Sequence, residues 1–408
     1  MIKRHPEDFR VEEVPSRELV PEGLSEAGRF ALYRLTKRGV ATDEAIERVA
    51  AKLSLPPGRI GYGGLKDKHA LTVQYVTIQF PPRRPAPALV EGAAWKLELL
   101  GRVDRGISAG DVSGNRFRVT IRGLTRRECD RITAARRFLS NSASGGGKRL
   151  LFVNYYGEQR FGSARHGRGF AARRLIEGDF EGALELLIAT PDRKDTRARK
   201  DIKRIVAALW GAWKALSRAL PASPERSVAL RLARTGGDFR AGFSALPHFI
   251  QQMTLEAYQS WLWNAIARRV VAEECGPPFV EAPSRFGSLI FPHAAGIPSG
   301  LAAAVIPLFS RETALREPWS AAAGSVLEEE GIALRDLRVP GLRTPFFGEV
   351  DRALFVEALE FSLGPLEADE SVGEAGRFKR RARFLLPRGA YGTVLLSALG
   401  GASHSSLR

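Results

Sequence analysis

Gly63-Gly64-Leu65-Lys66-Asp67-Lys68-His69-Ala70-Leu71-Thr72-Val73-Gln74 says more about this chain than any other stretch. A carboxylate stands between two lysines, after two glycines and before an amphipathic run. Taken alone, an aspartate in a glycine loop is most simply a turn residue, because its side chain accepts from local backbone N–H groups. The flanking lysines would also keep the carboxylate ionised if it were partly buried, since nearby positive charge favours the charged form. An ionised, sheltered carboxylate can serve as a nucleophile or a base. Both readings are open on these residues.

Around this loop the hydrophobic pattern predicts a sheet. Val76, Ile78 and Phe80 alternate with Thr77 and Gln79, as a half-buried strand does. Trp95, Leu97 and Leu99 repeat that period, and residues 8–14 form a strand with Phe9 and Val11 on one face. Between them, Thr42 reads as the N-cap of a helix with Asp43 and Glu44 in its first turn. The apolar face of that helix is Ala45, Ile46, Val49 and Leu53, and Pro56-Pro57-Gly58 ends it. At 116–122, Phe117, Val119 and Ile121 face one way, while Arg116, Arg118, Thr120 and Arg122 face the other. Such arginines either track phosphates or coat a solvated sheet face. Thr125-Arg126-Arg127-Glu128 is a capping box opening a helix to about Ser140. Ser142 to Gly147 reads as a flexible loop. Its Gly147-Lys148 ending is no phosphate-binding P-loop, because Ser142 replaces the first glycine and Arg149 the final Ser/Thr.

The 408 residues carry a net charge of +17, with 62 Lys and Arg against 45 Asp and Glu. Excess positive charge spread over many segments points to a polyanionic partner, most simply nucleic acid. The length suggests two or three domains. Cys129 and Cys275 are the only cysteines, and the six histidines do not cluster with acids, so local spacing builds neither a disulfide framework nor a metal site. The N-terminus has no apolar signal region, and no run reaches the ~18 apolar residues of a membrane span. A cytoplasmic protein without metal or cofactor, membrane contact or obligate protein partner is expected.

From about residue 191 the character changes. A charged segment, Pro191 to Lys200, borders helical patterns with Trp210, Trp213 and Leu216. A further helix from Thr254 carries Leu255, Tyr258, Leu262 and Ile266 on one stripe, which reads as core. Residues 277–350 are rich in Pro and Gly, consistent with loops and short strands. Arg377 to Arg383 leads into Phe384-Leu385-Leu386-Pro387-Arg388-Gly389 and a short apolar helix from Tyr391.

Pro6-Glu7-Asp8-Phe9-Arg10-Val11-Glu12-Glu13, Gly64-Leu65-Lys66-Asp67 and Asn154-Tyr155-Tyr156-Gly157-Glu158-Gln159-Arg160-Phe161-Gly162 occur in this order. Together they resemble the TruD family of pseudouridine synthases, over roughly residues 1–175 and more weakly near the C-terminus. The resemblance implies an α+β fold: a catalytic domain around a mixed, largely antiparallel sheet, interrupted by an inserted α/β domain. With the composition shift, it places the catalytic domain at 1–190, the insertion at 191–360 and a C-terminal return to the sheet at 361–408. It implies conversion of an RNA uridine to pseudouridine with no cofactor. Bacterial members act on uridine 13 of tRNA, the target expected first, and archaeal and eukaryotic relatives also modify other tRNA positions and other RNAs, which stay as alternatives. The stretch Arg165-His166-Gly167 does not decide between these branches.

The resemblance makes Asp67 the essential aspartate, either attacking C1′ or taking the C2′ proton to give a glycal. Tyr156 falls where the family carries the phenylalanine of Asn-Tyr-Phe-Gly, the ring for the flipped uracil. Asn154 matches the family asparagine and would hydrogen-bond Asp67 or the uracil edge. Phe9 matches a second pocket aromatic. Lys3 and Lys66 match basic positions near the aspartate, with Lys3 as its salt-bridge partner. Arg116 and Arg118, with the basic segments near 193–204 and 377–383, would contact phosphates. Two other classes compete. A catalytically dead RNA-binding protein fits poorly with an intact Lys66-Asp67 loop. An RNA-modifying group transferase would need a glycine-rich loop following a strand, which is missing.

Overall fold

The computed structural model describes residues 2–400 except 17, 20–27, 141–147, 163, 166, 167, 193, 194 and 373–375. The glycine-rich stretch 142–147, His166-Gly167 and the first residues of the 193–204 segment lie outside the described residues.

An 11-stranded sheet organises the chain. Its central order is Leu89–Gly92, Trp95–Val103, Phe30–Arg38, Leu71–Ile78, Phe9–Pro15, Val112–Leu124, Phe378–Pro387, Phe355–Leu363 and Leu150–Val153. Phe9–Pro15 runs parallel to Leu71–Ile78, and the other neighbours are antiparallel. The sheet is therefore mixed and largely antiparallel, as the resemblance implied. Alternation fixes its faces, because successive side chains point to opposite sides of a pleated strand. Phe9, Val11, Phe117, Val119 and Ile121 all enter one core.

The chain leaves the sheet after Val153 and rejoins it at Phe355. Between these points, among the described residues, lie short helices up to Ser244, the long helix His248–Cys275, and three short strand pairs, Ala164–Arg165 with Gly169–Phe170, Phe279–Ser284 with Gly287–Pro292 and Val305–Leu308 with Val350–Ala353. Leu255, Tyr258, Leu262 and Ile266 are buried, so this stripe is core. The helix starts at His248, earlier than the predicted Thr254. The strands from Phe9–Pro15 to Leu150–Val153 in the sheet order and the helices outside the sheet share one apolar cluster from Ile2 to Leu399, while Phe30–Arg38, Leu71–Ile78, Trp95–Val103 and helix Thr42–Lys52 enclose a second. The C-terminal strand Phe378–Pro387 pairs with Val112–Leu124, and helix Gly392–Ala398 follows it.

The capping box forms as predicted: the Thr125 side chain accepts from the Glu128 N–H, and helix Arg126–Phe138 follows. The Thr42 prediction needs correction. Helix Thr42–Lys52 starts after Ala41 with no side-chain cap. Asp43 and Glu44 in its first turn still favour the positive end of the helix dipole. The Thr42 hydroxyl has a different task, described below. Among the described residues, no helix is long and apolar enough to cross a membrane.

Candidate active site

A cleft of about 1700 Å³ opens between the sheet and the segment that leaves it. Lys3, Lys66 and Asp67 line one wall. Tyr156, Trp261, Asn264, Arg268 and Tyr391 line the other side.

Asp67 is held by its own neighbourhood. One carboxylate oxygen accepts from the Lys3 ammonium, and the other accepts from the His69 N–H at 2.8 Å. Burial pushes its pKa up, but the Lys3 charge and hydrogen bond and the His69 N–H together outweigh this and hold the carboxyl below its usual value. The group is therefore ionised throughout the neutral range. Lys3 has φ of 65°, a left-handed conformation that non-glycine residues seldom adopt. Its ammonium lies 4.3 Å from the centroid of the Phe9 ring.

The backbone of the loop is fixed from below. Gly63 is required because a Cβ there would lie 2.5 Å from Val112 Cγ2. The Lys66 N–H donates to Thr42 Oγ1 at 2.9 Å, and that hydroxyl donates to Gln74 Oε1 at 3.1 Å. This is why Thr42 does not cap its helix. Lys66 turns away from Asp67 to meet the fully buried Glu13, with Nζ 2.7 Å from Oε1. The other Glu13 oxygen accepts from the Tyr75 N–H at 2.9 Å. Lys68 is exposed and lies 3.9 Å from Glu44. Of the three lysines near Asp67 in the sequence reading, only Lys3 neutralises it directly. Thr42→Val keeps the volume but strands the Lys66 N–H and Gln74 Oε1. It should cost about 1–3 kcal/mol in urea denaturation, the penalty for buried polar groups losing their partners.

Tyr156 sits in an aromatic and cationic socket. Its backbone N–H donates to Asn264 Oδ1 at 2.8 Å, and Asn264 Nδ2 donates to its carbonyl at 3.0 Å. The Arg352 guanidinium carbon lies 3.9 Å from the ring centroid. Trp263 and Tyr391 meet the ring at 90° and 61°. Burial raises the pKa of the phenol, with Arg352 and Arg160 opposing, so it stays neutral near pH 7. A Cβ on Gly157 would come 2.9 Å from Tyr391 Cδ1, so the glycine lets the two rings lie side by side.

Asn154 requires correction in one respect. It does not bond to Asp67: Nδ2 donates to the Ala353 carbonyl at 3.1 Å, and Oδ1 accepts from Arg352 Nη2 at 2.7 Å. Arg352 also donates to the carbonyls of Asn154 and Gly389 at 2.8 and 3.2 Å. Asn154 thus orients the cation behind Tyr156. Phe9 is buried beneath Lys3, edge-on to Phe117 at 6.0 Å, and does not line the cleft. Arg116 and Arg118 do not reach the cleft either. Phe117 between them packs on the cleft side, where it would touch a Cβ on Gly392, so strand alternation turns both arginines to the opposite face. Arg116 is 3.5 Å from Glu360 there, and Arg118 is exposed.

The sequence reading missed Lys37, Glu13, Asn264, Tyr391 and Arg352. For Lys37 a signal existed: a lysine at an inward position of a strand. Arg352 lies just beyond the Pro/Gly-rich stretch 277–350, in no motif, and gave none.

Comparison with known proteins makes the chain a pseudouridine synthase, an isomerase acting on RNA, and a cleft with an ionised aspartate at its wall suits that class. Residues 1–276 match the family described as "tRNA pseudouridine synthase D (TruD)". The chain belongs to the TruD family. It is similar to tRNA pseudouridine synthase D of Aquifex aeolicus, with 28% identity covering 98% of this chain and 97% of that one. It is 27% identical to "Probable tRNA pseudouridine synthase D 2" of Methanocaldococcus jannaschii, over 97% of this chain and 90% of the relative. A TruD crystal structure from Methanosarcina mazei shares the fold, with a TM-score of 0.65 and 23% identity over 98% of this chain and 92% of that one.

Proposed function

We propose that this enzyme isomerises uridine 13 of tRNA to pseudouridine in the cleft, with Asp67 as the essential carboxylate. The observation that carries the reading is the Asp67 carboxylate, held ionised by Lys3 and His69 at a cleft it shares with the Tyr156 ring. The N1–C1′ bond breaks, the uracil turns, and C5 joins C1′ while a proton leaves C5 and one is gained at N1. Nothing is added or removed, so no co-substrate is needed. Asp67 either attacks C1′ or removes the C2′ proton, and both roles use the charged form.

A stacked uridine is out of reach of a carboxylate inside a cleft, so the nucleotide flips out at a cost of a few kcal/mol. Tyr156 offsets part of this by stacking, worth ~1–3 kcal/mol per base. The cleft exceeds the ~300–1,000 Å³ of a small-molecule pocket, which suits a nucleotide with its neighbours. We read the segment outside the sheet, which takes in the 191–360 region up to Leu354, as the inserted domain. It supplies Trp263, Asn264 and Arg352, on which Tyr156 rests.

Incubating the purified enzyme with tRNA alone tests the reading. Pseudouridine at position 13, absent when that uridine is replaced by cytidine, is expected, and the same position should lack pseudouridine in a deletion strain. Modification confined to another uridine overturns the position, and no pseudouridine overturns the activity. Binding should also weaken steeply with salt. If about five phosphates are neutralised, affinity falls about a hundredfold to five-hundredfold between 50 and 200 mM salt. A flat dependence would mean that the charge excess does not hold RNA.

A further inference from the structure

Lys37 continues the inward row Ala31, Tyr33 and Leu35 of strand Phe30–Arg38, where an apolar residue would normally stand. It is fully buried. Its ammonium donates to the carbonyls of Val40 at 2.8 Å, Asp67 at 3.0 Å and Lys66 at 3.4 Å, matching its three N–H bonds. Lys3 takes the Asp67 carboxylate and Lys66 takes Glu13. Among the described residues, the hydrogen-bond partners of the Lys37 ammonium are therefore all carbonyl oxygens, and the Asp67 and Asp43 carboxylates act on its charge only at a distance. Burying an ammonium without a carboxylate is costly, and an apolar side chain of similar volume would be cheaper. What the charge secures is specific: the Lys66 and Asp67 carbonyls belong to the two peptide groups on either side of the Asp67 Cα.

We propose that Lys37 is a positioning residue of the reaction. Its protonated amine clamps both peptides flanking Asp67 and places a second positive charge behind the carboxylate. The inference rests on the reading of Asp67 as the essential carboxylate. Above the pKa of Lys37 the clamp loses a donor and its charge, and the loop loosens.

Burial brings the Lys37 pKa from 10.5 down to about 8; Asp67 opposes this, Lys66 adds to it, and Asp43 opposes it. The unfolded chain keeps this proton to higher pH than the folded chain. Between about 8 and 10.5 the unfolded state thus binds more protons, and the contribution of Lys37 to stability rises with pH. Loss of activity above pH 8 through Lys37 would therefore not be accompanied by destabilisation from the same group.

Single-turnover pseudouridine formation on an RNA with one target uridine tests this from pH 6.5 to 9.5. Amide exchange of residues 63–70, corrected for its intrinsic pH dependence, is followed in parallel. With a pKa of about 8 and a neutral form about as slow as Lys37→Met, the wild-type rate should fall about fivefold between pH 7 and 9, and loop protection should fall with it. Lys37→Met should be about tenfold slower at pH 7, flat to pH 9 on the same RNA, and unprotected in the loop throughout. A wild-type rate and loop protection that stay level to pH 9 would overturn the inference, as would a Lys37→Met enzyme with the wild-type profile. If Lys37→Met does not fold, the two wild-type profiles decide. An active Asp67→Asn enzyme would instead overturn the functional reading, and the pH-dependent protection of the loop would still report on Lys37.

Discussion

Asp67→Asn should lower isomerisation by at least about 10⁴-fold, more than ~5 kcal/mol of barrier, while RNA affinity stays close to wild type. The substitution keeps the size of the side chain and the oxygen that accepts from the His69 N–H. It removes only the charge, and with it the nucleophile or base. The fold should tolerate the change, because Lys3 retains its place over the Phe9 ring and access to the cleft. Affinity is expected to hold because a carboxylate is not a phosphate contact. Filter binding and single-turnover kinetics on the same RNA separate the two effects. Substantial turnover by the purified variant, free of wild-type enzyme, would remove Asp67 from the chemistry.

The second large effect is expected at Tyr156. The ring rests 3.9 Å from Arg352 and is pinned through its backbone by Asn264 at 2.8 and 3.0 Å. This geometry fixes an aromatic plane, and the raised pKa keeps the phenol neutral. Tyr156→Phe should therefore keep most activity. Tyr156→Ala loses the stacking surface and uncovers Arg352, and should lose on the order of tenfold to a hundredfold in kcat/KM. Equal damage in both variants would show that the hydroxyl takes part. Full activity in both would place the uracil elsewhere.

Local pattern was enough for much of this architecture. Alternation at Phe9 and Val11, Trp95 to Leu99 and Phe117 to Ile121 predicted strands, because a sheet buried on one face imposes a period of two. The Thr125 capping box predicted its helix, because the partners that satisfy a helix terminus are neighbours in the chain. The three short motifs located Asp67 and Tyr156 for a similar reason: each lies in a string of adjacent residues with a recurring composition.

What the sequence determined, then, is where several strands form and which local motifs hold Asp67 and Tyr156, the two residues that line the cleft. Tertiary structure decided how each charge is spent. Lys66 and Lys68 flank Asp67 in the chain, yet the peptide turns Lys66 toward buried Glu13 and leaves Lys68 exposed near Glu44, while Lys3 arrives from 64 residues away. Thr42 is an apparent cap whose hydroxyl instead serves the Lys66 N–H. Asn154 meets Arg352, 198 residues distant, in place of Asp67. Arg116 and Arg118 are set on the far face by the side on which Phe117 packs. The reason is physical. Periodicity and capping depend on contacts a few residues apart, whereas an ion pair or a buried hydrogen bond depends on which side chains the assembled sheet and core bring within about 3 Å of each other.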